Sequence, residues 1–172
     1  EDLGRAARAR TAARIAAVTG SVGKTSTKEA LRAVLSQFGA TYASIGNLNN
    51  QWGAPLSLAR MPRDSRYGVF ELGMNHAGEI SPLSQMVRPQ VAIITTVEPV
   101  HIEFFASVEG IADAKAEIFD GLQPNGTAIL PFDNPHFARL EGKAKRMGAR
   151  VLTFGAGDGA ALQAVLRVGD AV

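Results

Sequence analysis

The stretch I-A-A-V-T-G-S-V-G-K-T-S at residues 15–26 decides the fold of this chain. Its apolar half predicts a β-strand, two glycines bracket the turn that follows, and a helical pattern begins directly after Gly-Lys-Thr. In such a turn the backbone N–H groups and the helix dipole together favour a bound anion. The stretch therefore predicts a phosphate-binding loop made of Gly20, Ser21, Val22, Gly23, Lys24, Thr25 and Ser26.

Two side chains of this loop predict a nucleotide rather than a bare phosphate. Lys24 is placed to reach the outer phosphates, and the Thr25 hydroxyl is placed to bind the Mg²⁺ that accompanies them. The full signature is G-x-x-x-x-G-K-[ST], and Val18 occupies the position of its first glycine. The preceding strand and the following helix favour a nucleotide site over a glycine turn with a surface lysine.

Composition excludes several classes of protein. The 172 residues include no cysteine, which excludes disulfides, thiolate metal sites and cysteine nucleophiles. The net charge of +2 gives no reason to expect a nucleic acid partner. No apolar run approaches the roughly 18 residues of a membrane span. We therefore expect a cytoplasmic protein without a membrane span, and we expect a monomer.

Both ends of the sequence suggest a piece of a longer protein. Residues 1–14 begin without Met and carry four arginines among alanines. We interpret them as a solvated connector helix from an upstream domain, rather than as a basic arm for an acidic partner. Residues 15–172 then form the central domain, with a last strand predicted over residues 162–168.

Strand and helix patterns alternate along the rest of the chain. Strands are predicted at residues 15–19, 42–45, 68–72, 91–96, 127–130 and 150–154. Helices are predicted after the phosphate loop, near Pro55, and at residues 81–87, 108–122 and 135–147. The first of them has a predicted buried stripe of Leu31, Val34, Leu35 and Phe38. The alternation predicts an α/β fold, a P-loop-containing, mostly parallel sheet with helices on both faces.

Ligands of such sheets bind at the carboxyl ends of the strands, where three charged or titratable side chains are found. Glu71 ends a strand and is either a Mg²⁺ ligand or an ordinary strand-end acid. His101 follows the strand ending at Thr96 and is either a structural histidine or a metal ligand. Lys115 falls on the buried stripe of its helix, where it either extends its ammonium to water or occupies a partly desolvated site. In the second case the neutral amine could take up CO₂ as a carbamate, an anionic ligand for a second Mg²⁺.

The loop G-N-L-N-N-Q-W-G at residues 46–53 is rich in amide groups. Asn49 and Asn50 could bind carbonyls or phosphates of a substrate, or they could only form a turn. His76, in a second polar loop, has the same two interpretations.

These segments together resemble the Mur ligases, the ATP-dependent amide-forming enzymes of bacterial cell-wall synthesis. The resemblance covers roughly residues 15–155. It is carried by VTGSVGKTSTKE (18–29), GNLNNQWGAPLSLARMP (46–62), FELGMNHAGEI (70–80), VRPQVAIITTVEPVHIEFFASVEGIADAKAEIF (87–119) and LPFDNPHF (130–137). The second and third segments resemble the branch that joins D-Ala-D-Ala to UDP-N-acetylmuramoyl-tripeptide.

The resemblance implies a role for each candidate residue. Residues 20–26 would hold ATP, with Lys24 on the β- and γ-phosphates and Thr25 on Mg²⁺. Glu71 and His101 would bind one or two Mg²⁺ ions, and Lys115 matches a lysine that is carbamylated in relatives. Lys24, His101 and Lys115 would be the catalytic residues, and Asn49 and Asn50 would lie near the muramoyl-peptide. The family has a small residue or Asn at the position of Val22, where the backbone is expected to supply the contact.

The implied reaction makes an acyl phosphate from the tripeptide carboxylate and ATP, and the amine of D-Ala-D-Ala then displaces phosphate. Family members have three domains, and this sequence resembles only the central one, so the fragment alone is expected not to ligate. Two alternatives remain: another Mur-type or folylpolyglutamate-type ligase, or a P-loop switch module. The Asn-rich loop argues against the first, and the lack of an N-K-x-D element for guanine argues against the second.

Overall fold

The computed structural model describes residues 1–100 and 102–163. Seven strands form one sheet in the order β2-β3-β1-β4-β5-β6-β7, and every pairing in it is parallel. The strands are Arg14–Thr19 (β1), Thr41–Ala43 (β2), Tyr67–Glu71 (β3), Val91–Ile94 (β4), Thr127–Pro131 (β5), Arg150–Gly155 (β6) and Leu162–Gln163 (β7). The helices are Asp2–Ala9 (α1), Lys24–Leu35 (α2), Gly53–Arg60 (α3), Ile80–Val87 (α4), Val108–Ala116 (α5) and Phe137–Arg146 (α6). The predicted α/β fold is confirmed.

The two faces of the sheet are covered unequally. After β1 the chain moves toward β2 in one direction, and after β2 every connection moves the other way. Because crossovers between parallel strands are right-handed, α2, which follows β1, falls on one face of the sheet and the helices of the later crossovers fall on the other. Accordingly, α2 packs on a small apolar cluster centred on Val18, Val69 and Ile93, whereas the larger core lies beneath the other helices.

Two of the four residues predicted to form the buried stripe of α2 are exposed. Leu31 and Leu35 pack against the sheet, but Val34 and Phe38 are 58% and 61% exposed. The residue one turn before Leu31 that does point inward is Lys28, which is fully buried. Val34 lies about 100° around the helix from Leu35, and Phe38 follows the helix end, so neither reaches the sheet.

One face of α1 packs against the protein, whereas five of its eight residues are exposed, and its role as a connector from an upstream domain stays a prediction. Gly4 lies so close to Pro55 of α3 that a Cβ there would contact its backbone. Arg8 is 6% exposed and donates hydrogen bonds to the carbonyl oxygens of Val87 and Arg88, at the end of α4. Burial lowers the pKa of the Arg8 guanidinium, with the nearby charge of Arg88 as a second cause. The cation thus satisfies carbonyl groups that a helix C-terminus leaves without partners.

The predicted end of one helix also differs from the structure. The helix predicted to run to residue 122 is α-helical only to Ala116 and continues as a 3₁₀ turn over Glu117–Gly121. Gly121 packs against the backbone of Ser84, an approach that only glycine permits. Of the strand predicted at residues 162–168, Leu162–Gln163 is present as β7, and residues 164–168 lie outside the described part of the chain.

The topology places one crevice at the carboxyl edge of β1. Its neighbours β3 and β4 lie on either side, so side chains that follow these three strands meet there. This reversal of strand order is where open α/β sheets bind ligands. Across residues 1–100 and 102–163, no helix is both long and apolar enough to cross a membrane.

Candidate functional site

The loop after β1 has the backbone shape of a phosphate cradle. Gly23 caps α2 with φ of 82°, a left-handed conformation that favours glycine. The first helical bond runs from the Thr27 amide to the Gly23 carbonyl, at 2.9 Å. The amides of residues 23–26 therefore precede the helical ladder and are directed toward the helix N-terminus, where an anion binds.

The residues that follow β4 contact this loop and hold its shape. A Cβ at Gly20 would overlap Oγ1 of Thr95, and this hydroxyl donates to the Val22 carbonyl at 2.5 Å. The Ser21 hydroxyl donates to the Glu98 carbonyl and accepts from the Glu98 amide, both at 2.9 Å. The Ser21 side chain is thus a structural tie, and the Val22 side chain, 57% exposed, points away from the protein.

Lys24 lies over the loop that contains it. Its ammonium donates to the carbonyl of Gly20 at 2.8 Å and to that of Ser21 at 3.3 Å. Burial lowers the pKa of this ammonium, and the negative charge of Glu71 partly opposes the effect. The phosphate loop thus holds the Lys24 ammonium against its own carbonyl groups.

Glu71, at the end of β3, is the centre of the site. Its side chain is 3% exposed, and its two oxygens accept hydrogen bonds from different elements. Oε2 accepts from Thr25 Oγ1 and Oε1 accepts from Asn49 Nδ2, both at 2.8 Å. Its backbone amide donates to the Ser44 hydroxyl, at the end of β2. The first turn of α2 and the loop after β2 thus fix the carboxylate at the end of β3.

The spacing of Thr25 and Glu71 fits two adjacent ligands of a Mg²⁺ site. Octahedral Mg²⁺ binds oxygens at 2.0–2.1 Å, which places adjacent ligands about 2.9 Å apart. The 2.8 Å between Thr25 Oγ1 and Glu71 Oε2 fits two adjacent ligands. Within the described ranges, no group of three or more His, Cys, Asp or Glu side chains could hold a metal ion. A hydroxyl and one carboxylate suit Mg²⁺, which usually completes its shell with water and substrate phosphates.

Lys115, on α5, belongs to the buried part of the site. Its side chain is 4% exposed, and none of the hydrogen bonds or ion pairs among the described residues involves its ammonium. Burial, with the positive charge of Lys24 as a second cause, lowers the pKa of Lys115 to about 8. The predicted metal ligand His101 lies outside the described residues.

The two asparagines of the loop at residues 46–53 make internal contacts. The Asn49 carboxamide contacts Glu71, and Asn50 Oδ1 accepts from the amides of Trp52 and Gly53 at the start of α3. With His76 and Glu79 they line a polar cavity of about 230 Å³ next to the carboxylate. His76 hydrogen-bonds Glu79 at 3.0 Å and is 59% exposed. Their contact with a substrate stays a prediction.

Sequence reasoning missed three residues that shape the site. Thr95 supports the phosphate loop, and Lys28 lies beneath the Asn-rich loop. Glu117, two residues after Lys115, accepts hydrogen bonds from the amides of Gly78, Ile80 and Ser81 at the start of α4. Spacing could have identified Lys28, one turn before Leu31, but Thr95 and Glu117 act across the fold and have no local signal.

The sequence pattern of the family described as "Mur ligase middle domain" matches residues 18–170. The chain belongs to the Mur ligase family. The expected family is thereby confirmed, and the Mur ligase middle domain accounts for the parallel sheet and its phosphate loop.

The similarity is to MurF members of the Mur ligase family. UDP-N-acetylmuramoyl-tripeptide–D-alanyl-D-alanine ligase of Rickettsia prowazekii is 43% identical over 155 residues, which cover 90% of this chain and 34% of the relative. The crystal structure of MurF from Acinetobacter baumannii superimposes with a TM-score of 0.89 at 38% identity, over 95% of this chain and 35% of that one. The structure of MurF from Thermotoga maritima in complex with ADP superimposes with a TM-score of 0.80 at 32% identity, over 90% of this chain and 36% of that one. The chain thus spans about a third of the length of these relatives.

More distant solved structures share the fold alone. A mutant of the L. casei enzyme FPGS superimposes with a TM-score of 0.66 at 17% identity, over 90% of this chain and 50% of that one. The higher identity to MurF agrees with the argument from the Asn-rich loop.

Proposed function

We propose that this Mur ligase chain is the ATP-binding middle domain of a MurF-type ligase, which joins D-Ala-D-Ala to UDP-N-acetylmuramoyl-tripeptide. The main support for the proposal is that Thr25 and Asn49 both donate hydrogen bonds to the buried carboxylate of Glu71. It unites the phosphate loop and the Asn-rich loop at one point. The Thermotoga relative is in complex with ADP, which supports nucleotide binding by this chain.

The proposed reaction converts a poor electrophile into a reactive one. The terminal carboxylate oxygen of the tripeptide attacks the γ-phosphorus of ATP, the bond to the bridging oxygen breaks, and ADP leaves. The D-Ala-D-Ala amine then attacks the acyl carbon, phosphate leaves with the bonding electrons, and the amine loses a proton. Such phosphoryl transfer depends mainly on positioning and on neutralising charge.

The chain's own groups have distinct tasks in this proposal. The amides of residues 23–26 hold the phosphates, and Lys24 moves from the loop carbonyls to the β- and γ-phosphate oxygens. Thr25 and Glu71 would hold Mg²⁺, which would offset phosphate charge when bound. Asn49 keeps the carboxylate of Glu71 oriented, and the polar cavity beside it is where the muramoyl-peptide would enter.

Lys115 is proposed to act as a carbamate. Its neutral amine attacks CO₂ and loses a proton, which gives an anionic oxygen ligand for a second Mg²⁺. The pKa of about 8 makes the neutral amine far more abundant near pH 7 than it is for an exposed lysine. His101 is retained as a proposed metal ligand.

Nucleotide titration of this chain tests the first half of the proposal. We expect ATP to bind more tightly with Mg²⁺ than in EDTA and more tightly than GTP, as measured by isothermal titration calorimetry. Lys24→Met should weaken binding by at least tenfold, since a charge-assisted contact contributes roughly 1.5–3 kcal/mol. Lys145→Met removes an exposed lysine on α6 and serves as the control. Tighter binding of GTP than of ATP would support the switch-module alternative.

The ligation step of the proposal is tested in the context of the remaining two thirds of a MurF ligase. We expect no amide product from this chain alone with UDP-N-acetylmuramoyl-tripeptide, D-Ala-D-Ala and ATP. Grafted in place of the matched segment of A. baumannii MurF, the chain should restore product formation, followed by mass spectrometry. The same graft with Glu71→Gln is the matched control. Robust ligation by the chain alone, or none by a folded graft, would contradict the proposal.

A further inference from the structure

Lys28 is a buried lysine that the proposed reaction does not use. It has no exposed surface and is among the largest fully buried side chains of the described residues. Lysine is almost never fully buried unless it is paired, because its charge loses hydration. It lies on α2 one turn after Lys24.

The Lys28 ammonium joins three parts of the site. It donates to the carbonyl oxygen of Gly46 at 3.1 Å, the first residue of the Asn-rich loop at residues 46–53. It lies 3.9 Å from Glu71 Oε2 and 3.4 Å from Glu29 Oε1. Glu29 is half-exposed on the same helix, whereas Glu71 is buried, so the pair with Glu71 is the desolvated one.

The geometry points to Lys28 as a positioning residue for the metal-binding carboxylate. Its charge balances Glu71, and its hydrogen bond holds the loop so that Asn49 meets Oε1 while Thr25 meets Oε2. Lys28 itself touches neither phosphate nor metal in this assignment. The metal part of the inference rests on the proposed function, whereas the positioning of the loop does not.

Lys28→Met is the principal variant, because Met retains much of the buried stem and removes the charge. Arg32→Met, one turn further along α2 on its exposed side, is the matched control. We expect Lys28→Met to reduce the gain in ATP affinity on adding Mg²⁺ about 10- to 100-fold, as loss of a supporting partner does at metal sites. ATP affinity in EDTA should change less than about threefold, because the phosphate contacts remain. Arg32→Met should change neither value.

The single tryptophan of the chain gives a readout without any ligand. Trp52 lies in the Asn-rich loop and is 78% exposed, so its time-resolved fluorescence anisotropy reports the local motion of that loop. In Lys28→Met the fast, local component should grow while the overall tumbling time stays unchanged. Arg32→Met should leave both components as in the unmodified chain.

A double variant keeps the inference testable if Lys28→Met unfolds. If Lys28 balances the Glu71 charge, Lys28→Met/Glu71→Gln should be more stable to urea than Lys28→Met alone. The inference is overturned if Lys28→Met folds and changes neither the gain in ATP affinity on adding Mg²⁺ nor the Trp52 anisotropy. It is also overturned if the double variant is no more stable to urea than Lys28→Met. Failure of the unmodified chain to bind ATP would instead contradict the proposed function and leave the anisotropy and urea tests decisive for Lys28.

Discussion

The Thr25 hydroxyl donates a 2.8 Å hydrogen bond to Oε2 of Glu71, 46 positions further along the chain. The bond joins the first turn of α2 to the carboxyl end of β3, two elements that the parallel pairing of β1 with β3 brings side by side. A hydroxyl and a carboxylate at this spacing are the two protein ligands that a nucleotide-bound Mg²⁺ commonly requires.

Glu71→Gln should selectively remove the effect of Mg²⁺. The amide retains the shape of the side chain but loses the negative charge that is proposed to bind Mg²⁺. We expect the Mg²⁺-dependent gain in ATP affinity to fall roughly 10- to 100-fold, the cost of losing one charged contact. Calorimetric titrations with Mg²⁺ and with EDTA measure it. Glu98→Gln, an exposed acid beside the phosphate loop, is the control. An unchanged gain in Glu71→Gln would refute the assigned ligand.

Gly20→Ala should damage both folding and nucleotide binding. The new Cβ would overlap Thr95 Oγ1 and force the phosphate loop away from β4. Such overpacking costs about 1–3 kcal/mol of the free energy of unfolding. Gly142→Ala is the matched control, since its Cβ would meet only Arg146 Nη1 at 3.5 Å within α6. There alanine should stabilise by about 0.5–1 kcal/mol. Urea denaturation of both variants measures the contrast, and equal effects would argue against the loop geometry.

Lys115→Met should stabilise the chain and remove part of its pH dependence. The folded state lowers the pKa of Lys115 from 10.5 to about 8, so below pH 8 the buried cation costs about 3 kcal/mol of the free energy of unfolding. Between pH 8 and 10.5 the unfolded state binds more protons, so this group makes stability rise with pH.

The difference between unmodified chain and variant isolates Lys115 from other titrating groups. Lys115→Met should be more stable at pH 7 by up to about 3 kcal/mol, and the advantage should shrink as the pH approaches 10.5. Urea denaturation at several pH values gives the curve. A constant difference at all pH values would show that Lys115 does not titrate in this range.

Glu117→Ala should loosen α4 and the polar loop before it. Its carboxylate accepts from the amides of Gly78, Ile80 and Ser81, which otherwise have no helical partner. Loss of such a cap costs about 1–2 kcal/mol, read from urea denaturation. Asp113→Ala breaks an exposed pair with Arg139 and should cost less than about 0.5 kcal/mol. Faster amide hydrogen exchange at residues 78–81 should appear only in Glu117→Ala.

The sequence was sufficient wherever the signal is local or periodic. The phosphate loop could be predicted because glycine geometry and the helix that follows are properties of adjacent residues. The position of Glu71 beside the phosphate loop could be predicted because a parallel sheet brings the ends of its strands to one edge. The sequence was insufficient on α2, where an apolar stripe was predicted through Val34 and Phe38 and the structure buries Lys28 instead.

The amino-acid sequence by itself determined the α/β fold, the phosphate loop and the Mur ligase family, because each of these is encoded in short segments or in their alternation. Only the tertiary structure decided that Asn49 contacts Glu71, that Lys28 lies sealed beneath their loop, and that Glu117 caps α4. These contacts join elements far apart in the chain, and they depend on how strand order and crossover direction place those elements, which no spacing of neighbouring residues encodes.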